Sequence, residues 1–82
     1  MKANEFLKDV GDKIRKRRLG LNVTQLNLAA VVGVARTSIV NIEAGRQDTT
    51  LTRLLDIAWA LDIDPQQLMP SDCAFPKRGK GT

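Results

Sequence analysis

Between Arg36 and Ala44 the sequence sets small polar and basic residues, Arg36, Thr37, Ser38 and Asn41, around an apolar pair three apart, Ile39 and Ile42. On a helix that spacing turns the apolar pair inward and leaves polar and basic groups on the open face. Such groups hydrogen-bond to base edges and phosphates. Enzymatic chemistry has far less to work with. The chain contains no His and a single Cys, Cys73, which removes His-based acid–base and triad chemistry, a disulfide framework within one chain and a Cys/His zinc site. No catalytic residue, metal or cofactor is assigned, and Cys73 reads as an inert thiol suited to a reducing cytoplasm.

A face of that kind needs a scaffold, and 82 residues leave room for one small domain with a modest core. Lys and Arg number 13 against 9 Asp and Glu, a net charge of +4 that favours a polyanionic partner. The charge is uneven: residues 1–20 carry +4, residues 21–48 balance, residues 49–72 carry −3 and residues 73–82 carry +3. The amino terminus lacks the basic-then-apolar order of a signal peptide, and no apolar run approaches the ~20 residues of a membrane span. The expectation is a soluble cytoplasmic protein with no membrane partner.

The periodicity is helical throughout, and no stretch alternates with period two. Phe6, Val10 and Ile14 lie four apart, with Leu21 two turns beyond, on one face of a first helix that Asn22 can stop. Thr24 can cap a two-turn helix over Gln25–Val32, with Gly33 at its end. A third follows over Arg36–Ala44, stopped by Gly45. Thr49 or Thr50 can cap a fourth that carries Leu51, Leu54, Leu55, Ala58 and Leu61 on one face, and Asp64-Pro65 opens a last short helix ending near Met69. From Pro70 onward, Pro, Gly and Lys/Arg dominate, the composition of a flexible basic tail. The domain is therefore placed at residues 1–69 and the tail at 70–82.

Two short helices joined by a tight Gly-containing turn match the demands of a helix-turn-helix. The ordered set Val10-Gly11-Asp12-Lys13-Ile14-Arg15, Arg18, Thr24-Gln25, Leu28-Ala29, Gly33-Val34, Ser38-Ile39, Ile42-Glu43, Gly45-Arg46 and Leu54 to Ala58 resembles the phage repressor and Cro type of helix-turn-helix domain, the Xre family, over roughly residues 9–69. The resemblance implies an all-α, compact five-helix domain that binds double-stranded operator DNA as a homodimer, its third helix in the major groove. It places Gln25 where the family contacts the DNA backbone, and Arg36, Thr37, Val40 and Asn41 at exposed recognition-helix positions. Arg36 suits two hydrogen bonds to a guanine, Asn41 two to an adenine, and Thr37 or Val40 a thymine methyl, each good bidentate contact discriminating by about 1–3 kcal/mol. Ser38 and Arg46 suit phosphates. Arg18 and Glu43 match a family ion pair tying the first helix to the end of the third.

The chain departs from the pattern at several places. Leu26, Ala30 and Val31 stand where helix 2 is usually polar, and Leu26 and Ala30 share a face. Trp59 replaces a commonly polar residue; cover by the tail through Phe75 and contact with a subunit or partner are both open. Asn27 stands where a Glu would complete a capping box, and Ala35 replaces the usual Ser or Thr cap before helix 3. The expected function is a repressor or autoregulator acting on an inverted-repeat operator, with RNA polymerase a further partner to consider. Two alternatives share its chemistry: an antitoxin that binds a toxin, because Asp48-Thr49-Thr50-Leu51-Thr52 is similar to a stretch of HipB-like antitoxins, and a restriction-modification controller protein.

Overall fold

The computed structural model describes residues 3–69. The proposed tail, with Cys73, Phe75, Lys77, Arg78 and Lys80, lies outside the described residues. Within them the chain forms α1 (Ala3–Gly20), α2 (Gln25–Val32), α3 (Arg36–Glu43), α4 (Leu51–Ala60) and a 3-10 helix at Pro65–Leu68, with no strand. The all-α expectation holds, but the count of five helices is corrected to four α-helices and one 3-10 helix. Asp64 and Pro65 start the last element as expected, the Asp64 carboxylate accepting from the Gln66 amide at 2.9 Å. Met69 has already returned to extended backbone, so the segment closes only i to i+3 bonds, from the Gln67 amide to the Asp64 carbonyl and from the Met69 amide to the Gln66 carbonyl.

The helix ends follow local chemistry. Asn22 takes a left-handed conformation (φ 59°) past the end of α1, and the Val23 amide donates back to the Arg18 carbonyl at 3.1 Å. Thr24 and Thr50 cap α2 and α4, each hydroxyl accepting from the amide three residues on at 3.0 Å. Gly33 closes α2 at φ 86°, a value glycine adopts without steric cost. This lets the chain turn through Val34 and Ala35 into α3 at 112° to α2, within the range of helix-turn-helix motifs.

The core is one cluster. Val10 and Ile14 of α1, Leu28, Ala29 and Val32 of α2, Ile39 and Ile42 of α3, and Leu54, Ile57 and Ala58 of α4 converge with Leu61 and Leu68. Two sequence expectations are corrected here. Leu21 is 40% exposed, because α1 ends at Gly20 and the position one turn past Ile14 is filled by buried Arg18. On α4 the inward face runs through Leu54, Ile57, Ala58 and Leu61, while Leu51 in the first turn is 74% exposed. No single described helix is long and apolar enough to cross a membrane.

Helices α1 and α3 meet backbone to backbone at Gly11. A Cβ there would fall within hard contact of the Ile42 and Glu43 carbonyl oxygens and 2.8 Å from the Glu43 carbonyl carbon. Backbone cannot move aside as a side chain can, so Gly11→Ala should destabilise the domain by about 1–3 kcal/mol. Urea unfolding followed by helical circular dichroism measures it; an unchanged midpoint would mean the two helices pack less closely.

Candidate nucleic-acid interface

The interface is built around one buried ion pair. Arg18 and Glu43 are each 7% exposed. The Arg18 Nε donates to Glu43 Oε2 at 2.7 Å and its Nη2 to Oε1 at 3.1 Å, a fork-to-carboxylate geometry that fixes direction as well as distance. The third guanidinium nitrogen, Nη1, donates to the Val23 carbonyl at 2.9 Å, tying down the loop that leads into α2. Gln25, the first residue of α2, donates its Nε2 to Glu43 Oε1 at 3.1 Å. Arg18 and Gln25 thus join α1, the start of α2 and the end of α3 at one carboxylate, and Arg18 also holds the α1–α2 loop. The sequence places the pair correctly; it does not show that Gln25 also binds Glu43.

Around this anchor the predicted contact residues fall into three places. Gln25 and Arg36 line one shallow cleft, with Leu19, Leu26 and the Thr24 cap; Arg36 and Thr37 are exposed and Gln25 half-buried. Val40 and Asn41, one turn along α3, are half-buried, and Arg46 just past the helix is exposed. The Arg46 Nε donates to Asn41 Oδ1 at 3.4 Å, a length at which a hydrogen bond is weak. An adenine contact would use that same oxygen as acceptor. Ser38 faces elsewhere, lining a groove with Gln47, Asp48, Thr49 and Thr50 of the α3–α4 loop. The structure thus brings Arg36 to Gln25 and Asn41 to Arg46, and sets Ser38 apart from both pairs.

Much of the basic charge of α1 serves the fold. Arg17 donates its Nε to the Leu61 carbonyl and its Nη2 to the Asp62 carbonyl, both at 2.9 Å, closing the end of α4. Lys13 binds Asp9 at 2.7 Å and the Met69 carbonyl at 3.0 Å. Arg53 of α4 donates to the Val32 carbonyl at 3.1 Å, closing α2. Each cation sits on carbonyls at the end of a helix, where the backbone dipoles favour positive charge. Among the described residues, no group of His, Cys, Asp or Glu is arranged to hold a metal ion.

The family model described as helix-turn-helix, HTH_3, matches residues 14–68. The chain belongs to that family of DNA-binding regulator domains. An uncharacterised transcriptional regulator from the ATPase CF(0) region of Rhodospirillum rubrum is 41% identical over 54 residues, covering 66% of this chain and 50% of its own length; the chain spans about half of that relative. The restriction-modification controller protein C.AhdI of Aeromonas hydrophila is 32% identical with a TM-score of 0.74, covering 77% of this chain and 96% of its own. A Neisseria protein described as a hypothetical transcription factor is 26% identical, with a TM-score of 0.74 over 82% of this chain and 78% of its own. The hydroxypropylphosphonic acid epoxidase of S. wedmorenis, 24% identical with a TM-score of 0.74, shares the fold across 79% of this chain and 35% of its own.

Because a buried charge left without its partner is expensive, Glu43→Ala should cost about 3–5 kcal/mol of stability, while Arg18→Met combined with Glu43→Leu should cost much less. Urea unfolding of the three proteins tests this. Equal losses in single and double variants would place the cost in packing instead of charge.

Proposed function

We propose that this chain is a sequence-specific transcriptional regulator that binds operator DNA as a homodimer, on an inverted repeat whose half-sites lie about one helical turn apart. The observation that carries the reading is the α2–α3 pair crossing at 112°, with Arg36 and Thr37 exposed at the start of α3 and Gln25 beside them. A helix presented in this way fits the major groove with its first residues on base edges. Arg36 reads a guanine, Asn41 an adenine, and Thr37 and Val40 touch thymine methyls. Gln25, Ser38 and Arg46 hold phosphates on either side of the helix, which sets register without carrying sequence information. Residues 1–69 form the DNA-binding unit, working on DNA in the cytoplasm as a binding module and not as an enzyme; the family match and the absence of His from the sequence support that.

One observation favours a narrower reading. The controller protein C.AhdI is similar to this chain over 96% of its own length and 77% of this one, at 32% identity. A controller of restriction-modification genes is therefore the second reading, and the genes beside this one distinguish it from a general repressor.

Fluorescence-anisotropy titrations against the chain's own upstream DNA and a scrambled duplex, at two salt concentrations, test the proposal. A preference of about a thousandfold or more that survives the higher salt is expected. Arg36→Ala should weaken the specific site and relax one base position, whereas Arg46→Ala should weaken all DNA alike and reduce the salt slope by about one. Equal losses from both variants on specific and random DNA would overturn the recognition-helix assignment.

A further inference from the structure

On α4 and the C-terminal end of α2, Trp59 is 68% exposed and Val31 72% exposed. They line one groove with Asp56 and Ala60, and Trp59 lines a second with Asp62, Ile63, Asp64 and Pro65. The result is an apolar strip edged by three carboxylates. Neighbouring exposed apolar side chains rimmed by polar groups mark a contact surface. A second copy docked symmetrically through the same face would bring its carboxylates against their own counterparts, which is repulsive.

The chain itself carries a segment of the opposite character. It leaves the described residues at Met69, whose carbonyl Lys13 holds at 3.0 Å, one short 3-10 helix beyond Pro65 at the edge of the groove. Phe75 follows six residues later, then Lys77, Arg78 and Lys80. Six residues reach about 20 Å, while the 3-10 helix separating Met69 from Pro65 spans only about 8 Å. We propose that the segment 73–82 docks on the Val31–Trp59 face of its own chain, with Phe75 against the indole and Lys77, Arg78 and Lys80 beside Asp56, Asp62 and Asp64. An aromatic pair supplies the apolar contact, and the opposed charges supply orientation and a dependence on ionic strength. The inference stands apart from the DNA reading and uses none of the residues assigned to it.

Trp59 is the only tryptophan, so intrinsic fluorescence reports this face alone. In the full chain at low salt, its emission should lie at shorter wavelength than in Phe75→Ala, and acrylamide should quench it about half as strongly, as expected when docking halves the exposure of the ring. A charge-reversed variant, Lys77→Glu with Arg78→Glu and Lys80→Glu, should show the same release, and added salt should move the wild type part of the way. Circular dichroism checks that the helices are unchanged. Identical emission and quenching in all three proteins would overturn the proposal, leaving an uncovered indole. A wild-type signal that approaches that of the variants on dilution would also overturn it, in favour of a second copy as the occupant.

Discussion

The Glu43 carboxylate governs where the recognition surface can be. Three donors converge on it, two from Arg18 in α1 and one from Gln25 at the start of α2, and the carboxylate itself belongs to α3. α1 supplies the scaffold, α2 starts beside the cleft that Gln25 and Arg36 line, and α3 carries the residues proposed to contact DNA. Hydrophobic packing gives these helices a shared core but is non-directional, so it constrains the rotation of one short helix against another only loosely. A bidentate guanidinium pair buried among them is directional, and it sits at the end of α3. Gly11 makes the arrangement possible, since only a residue without a side chain lets α1 come close enough to the end of α3.

A second economy is visible in how the helices end. Two eight-residue helices and one of ten are too short to be stable alone, and their carbonyl ends need partners. Arg53 supplies one to α2 and Arg17 two at the end of α4. These bonds cross from one element to another, so closing a helix end also fixes a tertiary contact. The basic character of the amino-terminal segment is therefore only partly a matter of nucleic acid. Net charge pointed to a polyanion, yet the cations proposed to meet it, Arg36 and Arg46, lie in a stretch whose charges balance.

This division explains what could be read in advance. Caps and turns are written in single residue types, and Thr24, Asn22, Gly33 and Asp64-Pro65 stand where the helices start and stop. The apolar period locates a face but not the limit of the core along it. Leu21 and Leu51 have the right spacing and the wrong reach, one beyond the end of its helix and the other in a first turn with nothing packed over it. In α4 so many positions are apolar that periodicity alone could not choose Ile57 over Leu51; the choice belongs to the helices packed against it. The exposed and half-buried positions on α3 were legible because they alternate with Ile39 and Ile42. The bond from Gln25 to Glu43 spans eighteen residues and depends on the crossing angle, which no local pattern encodes. For the same reason Ser38, next to Arg36 and Thr37 in the chain, faces the α3–α4 loop.

Ala35 leaves α3 with no side-chain cap, unlike the start of α2 and of α4. A missing hydroxyl or carboxamide at that position lowers the cost of opening a first turn by about 1 kcal/mol. The residues in that turn are Arg36 and Thr37. The amides of this turn should therefore exchange their hydrogens faster than those of α2, whose Thr24 cap is intact. The turn proposed to read DNA is thus the uncapped end of α3, while Glu43 anchors the other end to Arg18 and Gln25.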